Sequence, residues 1–147
     1  MHLWRKFVIV ETEKKGVRDM NKVVHFEIPA DDVARAEKFY KDVFGWDIQK
    51  IPMPGGSEYI VVKTVESDEK QMPKEAGAIN GGMMKRTPDM KGPVIVIDVP
   101  NLMEHLKKIK ANGGKVIMPT QKVMDMGLYA RVKDTEGNII GVWQNLH

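Results

Sequence analysis

The chain has no cysteine and only four histidines, His2, His25, His105 and His147. A disulfide framework, a thiol nucleophile and every cysteine-ligated zinc or iron–sulfur centre are therefore excluded. The scarcity of imidazole limits metal chemistry in general. No apolar run approaches the roughly 20 residues needed to cross a bilayer. Charge of one sign is not concentrated either: 23 Lys and Arg stand against 20 Asp and Glu, a net of +3. Residues 1–19 hold five basic and three acidic side chains, so +2 of the +3 lies there and +1 is left for the rest. A body so close to neutral does not present the clustered Lys and Arg of a nucleic-acid groove.

What is present suits one domain. The 147 residues are 42% hydrophobic and 29% charged, enough apolar material for a core and enough charge for a solvated surface. Residues 1–19 differ from the remainder. Phe7-Val8-Ile9-Val10 is a short apolar run followed by a polar stretch, Glu11 to Asp19. It lacks the roughly 7–15 apolar residues and the small-residue cleavage site of a secretory signal. It reads as an N-terminal extension, either one extra edge strand or a dispensable tail, and a cytoplasmic location is expected. Residues 20–147 form the expected domain.

From Val23 the pattern is regular, and it occurs twice. Val23–Ile28 reads as a strand stopped by Pro29. Asp31 and Asp32 are N-cap residues for a helix over 31–44, with Val33, Ala36, Tyr40 and Val43 on one face and Gly45 as its stop. Strands are expected at Trp46–Ile51, Glu58–Val65 and Ala78–Arg86, with a Pro/Gly turn at 52–57 and a charged loop at 66–74. The pattern restarts with a strand at Val94–Val99 stopped by Pro100. A helix over 101–112 follows, capped by Asn101 and burying Leu102, Leu106 and Ile109. Strands at Lys115–Val123, Leu128–Lys133 and Ile139–Gln144 complete the second half. The order is β-α-β-β-β, written twice, with modules at about 22–90 and 91–147. Neither module closes a core alone. Side by side they form an α+β fold: a curved, eight-stranded, half-open mixed sheet with the helices outside and a ligand cleft between the modules.

Several stretches, in this order and spacing, resemble the vicinal oxygen chelate superfamily, which holds glyoxalase I, bleomycin-resistance proteins and extradiol dioxygenases. They are Val24-His25-Phe26-Glu27-Ile28-Pro29-Ala30-Asp31-Asp32, Ala36-Glu37-Lys38-Phe39-Tyr40, Val43-Phe44-Gly45-Trp46, Gly81-Gly82-Met83, Ala111-Asn112-Gly113-Gly114, and Asp134-Thr135-Glu136-Gly137-Asn138 leading to Gly141-Val142-Trp143-Gln144. The wording is most similar to a branch related to lactoylglutathione lyase. Metal-dependent members of the superfamily carry one pair of ligands per module. The resemblance places these on His25, near Asn80-Gly81-Gly82, on Val94 or Val96, and on Gly141. Only His25 is a donor of the expected kind, so no metal and no cofactor are expected.

His25 and Glu27, two apart on a strand, share a face, while Val24, Phe26 and Ile28 point to the helix side. An imidazole beside a carboxylate suits general acid–base work or the binding of a polar ligand. The same pair also suits a buried couple tied into backbone hydrogen bonds. His25 and Glu27 are the expected catalytic residues. Tyr59, Met83, Tyr129, Arg131 and Trp143 are expected to bind substrate, Tyr129 and Arg131 sharing a face that an anionic group meets. The function implied is that of a glyoxalase-like small-molecule protein with a degenerate metal site. One form is a metal-independent lyase or isomerase acting on a small polar molecule. The alternative is a sequestering protein of the bleomycin-resistance type without catalysis. The partners expected are a small-molecule ligand and a second copy of the chain in a homodimer, without nucleic acid or membrane.

Overall fold

A computed structural model describes residues 20–147; the extension, with its strand expected at Phe7–Val10, lies outside the described residues. Eight strands and two helices follow in order: β1 (Val23–Ala30), α1 (Val33–Phe44), β2 (Asp47–Pro52), β3 (Glu58–Lys63), β4 (Gly81–Lys85), β5 (Val94–Asp98), α2 (Leu102–Ala111), β6 (Lys115–Val123), β7 (Gly127–Lys133) and β8 (Ile139–Asn145). They make one mixed sheet in the order β2-β3-β4-β1-β5-β8-β7-β6, and its edge strands β2 and β6 are not paired to each other. Each half is one β-α-β-β-β unit. In the sheet the halves join through the antiparallel pair β1–β5, while β1–β4 and β5–β8 are parallel. No described helix is long and apolar enough to cross a membrane.

The helix ends are set by side chains identified above. Asp32 accepts the N–H of Arg35 at 3.0 Å, and Asn101 accepts that of Glu104 at 3.1 Å. Gly45 ends α1 at φ 71°, a left-handed conformation that costs glycine little. Both helices cover the same face of the sheet. Under α1 lie Ala30, Ile48, Ile60, Val62 and Met83, with Val33, Ala36 and Tyr40 packed on them. Val43, expected on that buried face, is exposed instead. Trp46 closes the layer by stacking on Tyr40, ring centroids 4.9 Å apart and 4° from parallel. Under α2 lie Val99, Leu102, Ala130, Val132 and Val142, with Leu106 and Ile109 packed on them.

Several boundaries differ slightly from the sequence reading, and two regions show why. β1 runs through Pro29 to Ala30, because Pro29 lies beyond the last β1–β5 pair, Glu27↔Val94. β3 ends at Lys63 and β4 starts at Gly81, inside the expected strands Glu58–Val65 and Ala78–Arg86. There the Asn80 side chain accepts the N–H of Thr64 at 2.7 Å and of Val65 at 3.1 Å, replacing ladder hydrogen bonds.

Leu102 is 1% exposed and its N–H is held by Gln144 Oε1 at 2.8 Å. Leu102→Ala opens a cavity beneath α2 while leaving that backbone bond intact. The expected loss is about 2–4 kcal/mol, read from the midpoint of urea unfolding.

Candidate functional site

The face opposite the helices is where the two modules meet. Strand alternation puts His25 and Glu27 of β1 on it, beside their β5 partners Val96 and Val94. Both valines are almost fully buried, so the centre of this face is covered. The cover comes from two tyrosines, one from each half. Tyr59 on β3 reaches across β4, and its hydroxyl stands 3.1 Å from His25 Nε2. Tyr129 on β7 reaches across β8 and β5, and its hydroxyl donates to Glu27 Oε1.

These reaches need glycine at two points. In a flat sheet β7 and β1 are three strand spacings apart, about 14 Å. The Tyr129 and Glu27 side chains meet part-way, Tyr129 lying over Gly141 on β8; a Cβ there falls 2.6 Å from the Tyr129 hydroxyl and 2.9 Å from the ring. Tyr59 lies over Gly82 on β4, where a Cβ falls 2.8 Å from its hydroxyl. Gly82 and Gly141 are thus working parts of the site that the sequence reading weighed only as non-donors. Glycine inside a strand, the mark of a close approach, is the signal that points to them.

Glu27 is the one buried charged residue among those described, at 5% exposure. Besides the Tyr129 hydroxyl, it accepts from Arg131 Nη2 at 3.2 Å. Arg131 Nε donates to the Tyr129 hydroxyl at 3.1 Å, closing a triangle of carboxylate, phenol and guanidinium between the modules. Glu27 is therefore tied to side chains of the other half of the sheet, not to backbone groups. Both its oxygens are engaged by these two side chains.

Burial governs the titration of the site. It pulls His25 below the ordinary imidazole value of 6.5, against the upward pull of the Glu27 charge. It pushes Tyr59 up to about 12, helped by Glu27 and opposed by Arg131. Tyr129 is raised too, by burial and then by Glu27. Burial works against the charge of Arg131, but Glu27 and Tyr129 more than offset it and the net shift is upward. At neutral pH the site holds a neutral imidazole, two protonated phenols and one internal ion pair.

Trp143, cross-strand partner of Tyr129, is on the same face; its indole lies over Gly127 and Nε1 donates to Asn145 Oδ1 at 3.0 Å. Met83 is not part of this group. It is 1% exposed in the core under α1, on the other face of the sheet. The structure thus brings together His25, Glu27, Tyr59, Tyr129 and Arg131, with Trp143 at the margin. A separate surface depression, lined by Ser67, Asp68, Glu69, Lys70 and Lys74, includes none of them.

These residues do not fit a family-type divalent ion. Val96 and Gly141 offer no donor and Asn80 is spent on the backbone, which leaves His25 with a carboxylate already held by Arg131 and Tyr129. Phenols that keep their protons are poor ligands beside these, and structural or catalytic zinc usually takes at least three protein donors. No group of three or more His, Cys, Asp or Glu among the described residues is arranged to hold a metal.

Comparison with known proteins agrees with this architecture. Residues 22–64 match the family described as "Bleomycin resistance protein-like N-terminal". A "Glyoxylase-like domain-containing protein" of Didymella fabae is 31% identical over 118 residues, covering 76% of this chain and 84% of that protein. "Putative glyoxylase CFP32" of Mycobacterium tuberculosis is 28% identical over 120 residues, 80% of this chain and 43% of that protein. The chain therefore spans less than half the length of this mycobacterial relative. Among solved structures, hypothetical protein BH1468 from Bacillus halodurans superposes with a TM-score of 0.60 at 15% identity, covering 86% of this chain and 96% of that one. Methylmalonyl-CoA epimerase of Streptomyces coelicolor, in complex with 2-nitronate-propionyl-CoA, gives 0.61 at 12% identity, covering 88% and 100%. With the double module, the sheet order and these relatives in place, the chain belongs to the vicinal oxygen chelate superfamily of glyoxalase and bleomycin-resistance proteins.

A lowered His25 pKa has a consequence for stability. The folded state disfavours imidazolium, so between 6.5 and the lower folded value the unfolded chain binds more protons. The contribution of His25 is full above 6.5 and is lost as pH falls through that interval. Wild-type protein is expected to lose unfolding free energy on acidification from pH 7 to 5 more steeply than His25→Gln. Urea unfolding at each pH, with an NMR titration of the His25 ring, checks both the slope and its owner.

Proposed function

We propose that this protein is a metal-independent enzyme of the lyase or isomerase class that moves a proton on a small polar molecule, with His25 and Tyr59 as the acid–base pair. The observation that carries the reading is the 3.1 Å contact between His25 Nε2 and the Tyr59 hydroxyl, half-buried on the helix-free face. A neutral imidazole accepts a proton from the substrate, and a phenol that keeps its proton to about pH 12 donates a hydrogen bond to a substrate oxygen as charge develops there. The proton taken by His25 returns to the same carbon or to its neighbour, so an isomerisation balances with no redox partner. Glu27, Arg131 and Tyr129 hold the wall of the site and position the pair.

The match of residues 22–64 to a bleomycin-resistance-type family supports a second reading, sequestration without turnover. The one buried carboxylate here is neutralised by Arg131, which gives a cationic drug no unpaired charge to meet.

Proton exchange tests the reading without a known substrate. Chelator-treated protein in deuterated water is incubated with 2-hydroxy acids, 2-oxo acids and acyl thioesters, and loss of carbon-bound protons is followed by NMR. At least one class is expected to exchange with no metal added. His25→Ala is expected to slow exchange by about 100-fold or more, and Tyr59→Phe by a smaller factor. Exchange that needs added metal, or that survives in His25→Ala, overturns it.

We propose further that the working form is a homodimer. Phe39, Val43 and Phe44 stand exposed together near the end of α1, with the two phenylalanine rings 6.2 Å apart. Apolar surface of this kind marks contact sites. Sedimentation is expected to give a dimer; a monomer at tens of micromolar (roughly, for an association of ordinary strength) overturns the expectation.

A further inference from the structure

Arg131 has more capacity than its neighbours use. A guanidinium carries five N–H donors arranged along its edges. The side edge, Nε and Nη2, is taken by the Tyr129 hydroxyl and Glu27 Oε2. The end edge, formed by Nη1 with the second proton of Nη2, has no partner among the described residues. No fully buried side-chain nitrogen or oxygen among these residues is without a partner, so Nη1 is not fully sealed. The side chain as a whole is 17% exposed. Glu27 and the Tyr129 ring, whose centroid is 5.5 Å from Arg131 Cζ, hold the group in place. A fixed guanidinium with one fork occupied and the other without a partner among the described residues is a preorganised receptor for a planar two-oxygen group.

We propose that this end edge docks a carboxylate carried by the small molecule bound on the helix-free face, so that the ligand is a monoanionic carboxylic acid. The inference rests on reading that face as a small-molecule site and names the class of ligand it takes. Charge favours a carboxylate over a phosphate. The single positive charge of Arg131 is already matched by Glu27, whose carboxylate is held on the opposite edge by the 3.2 Å bond. A phosphate dianion arriving there meets a second negative charge nearby with no further cation in the group, whereas a monoanion is repelled less and has the geometry of the fork. Tyr129, whose hydroxyl lies between Glu27 and Arg131 Nε, keeps the side edge filled and so directs the ligand to the end edge.

The test is direct binding, read from the NMR signals of the Arg131 Nε–H and the Trp143 indole N–H during titration with glycolate, acetate and inorganic phosphate. Glycolate is expected to saturate both signals in the millimolar range, with phosphate weaker by about tenfold or more. Arg131→Lys, which keeps the charge but loses the fork, is expected to weaken glycolate by about tenfold. If Arg131→Lys does not fold, Glu27→Gln/Arg131→Gln removes both charges together and is expected to abolish glycolate binding. Failure of glycolate and acetate to saturate, phosphate binding as tight as glycolate, or glycolate affinity unchanged in the Arg131 variants overturns the proposal. Glycolate binding without proton exchange overturns the acid–base reading alone. Exchange at His25 in a protein that does not bind these carboxylates overturns the docking edge alone.

Discussion

A carboxylate buried at the middle of a sheet has to be neutralised, and the arrangement of this site follows from how Glu27 meets that requirement. Its compensating groups come from β7, three strands away in the other half of the molecule. Bringing them to β1 requires a long side chain on Arg131 and a tyrosine at 129 able to lie across β8. It also requires an empty position at 141, because a Cβ there falls within 3 Å of the phenol. Each is a consequence of burying one charge, and removing either partner of such a pair costs far more than the pair itself contributes. The β1–β5 ladder joins the two halves through the backbone, and this triangle joins them again through side chains.

The same geometry accounts for the departure from the metal-dependent pattern. Where side chains would have to converge on a cation, Gly82 and Gly141 withdraw theirs and two tyrosines lean into the vacated space. The positive charge on this face is a guanidinium held by the protein. His25, the surviving donor of the expected set, finds a phenol at hydrogen-bond distance. Burial then keeps the imidazole neutral and the phenols protonated near neutral pH.

The relatives fit this view at the level of the fold. Solved structures below 20% identity share the double-module sheet, among them an epimerase in complex with an acyl-CoA nitronate and a hypothetical protein. A fold held by alternating apolar residues on one face leaves the other face free to vary, which is why one architecture carries different sites. In this chain the variation is visible as two glycines and two tyrosines on that face.

The repeated β-α-β-β-β order, both helices and the sharing of a face by His25 and Glu27 were legible in the sequence, because each depends on local periodicity, capping residues and strand alternation. The family was legible from the order of short stretches along the chain. Met83 could not be placed, since the parity of a short glycine-led strand is fixed only by its partners: Met83 pairs with Ile60 and Ile28 and so faces the helix. The ends of β3 and β4 depended on Asn80 taking backbone N–H groups 15 and 16 residues away. Most of all, the partners of Glu27 lie 102 and 104 residues along the chain. The sequence by itself determined that His25 and Glu27 share a face. Only the tertiary structure decided that Glu27 meets Arg131 and Tyr129 of the other module while His25 meets Tyr59 of its own, because those side chains reach across intervening strands to join residues distant in the chain.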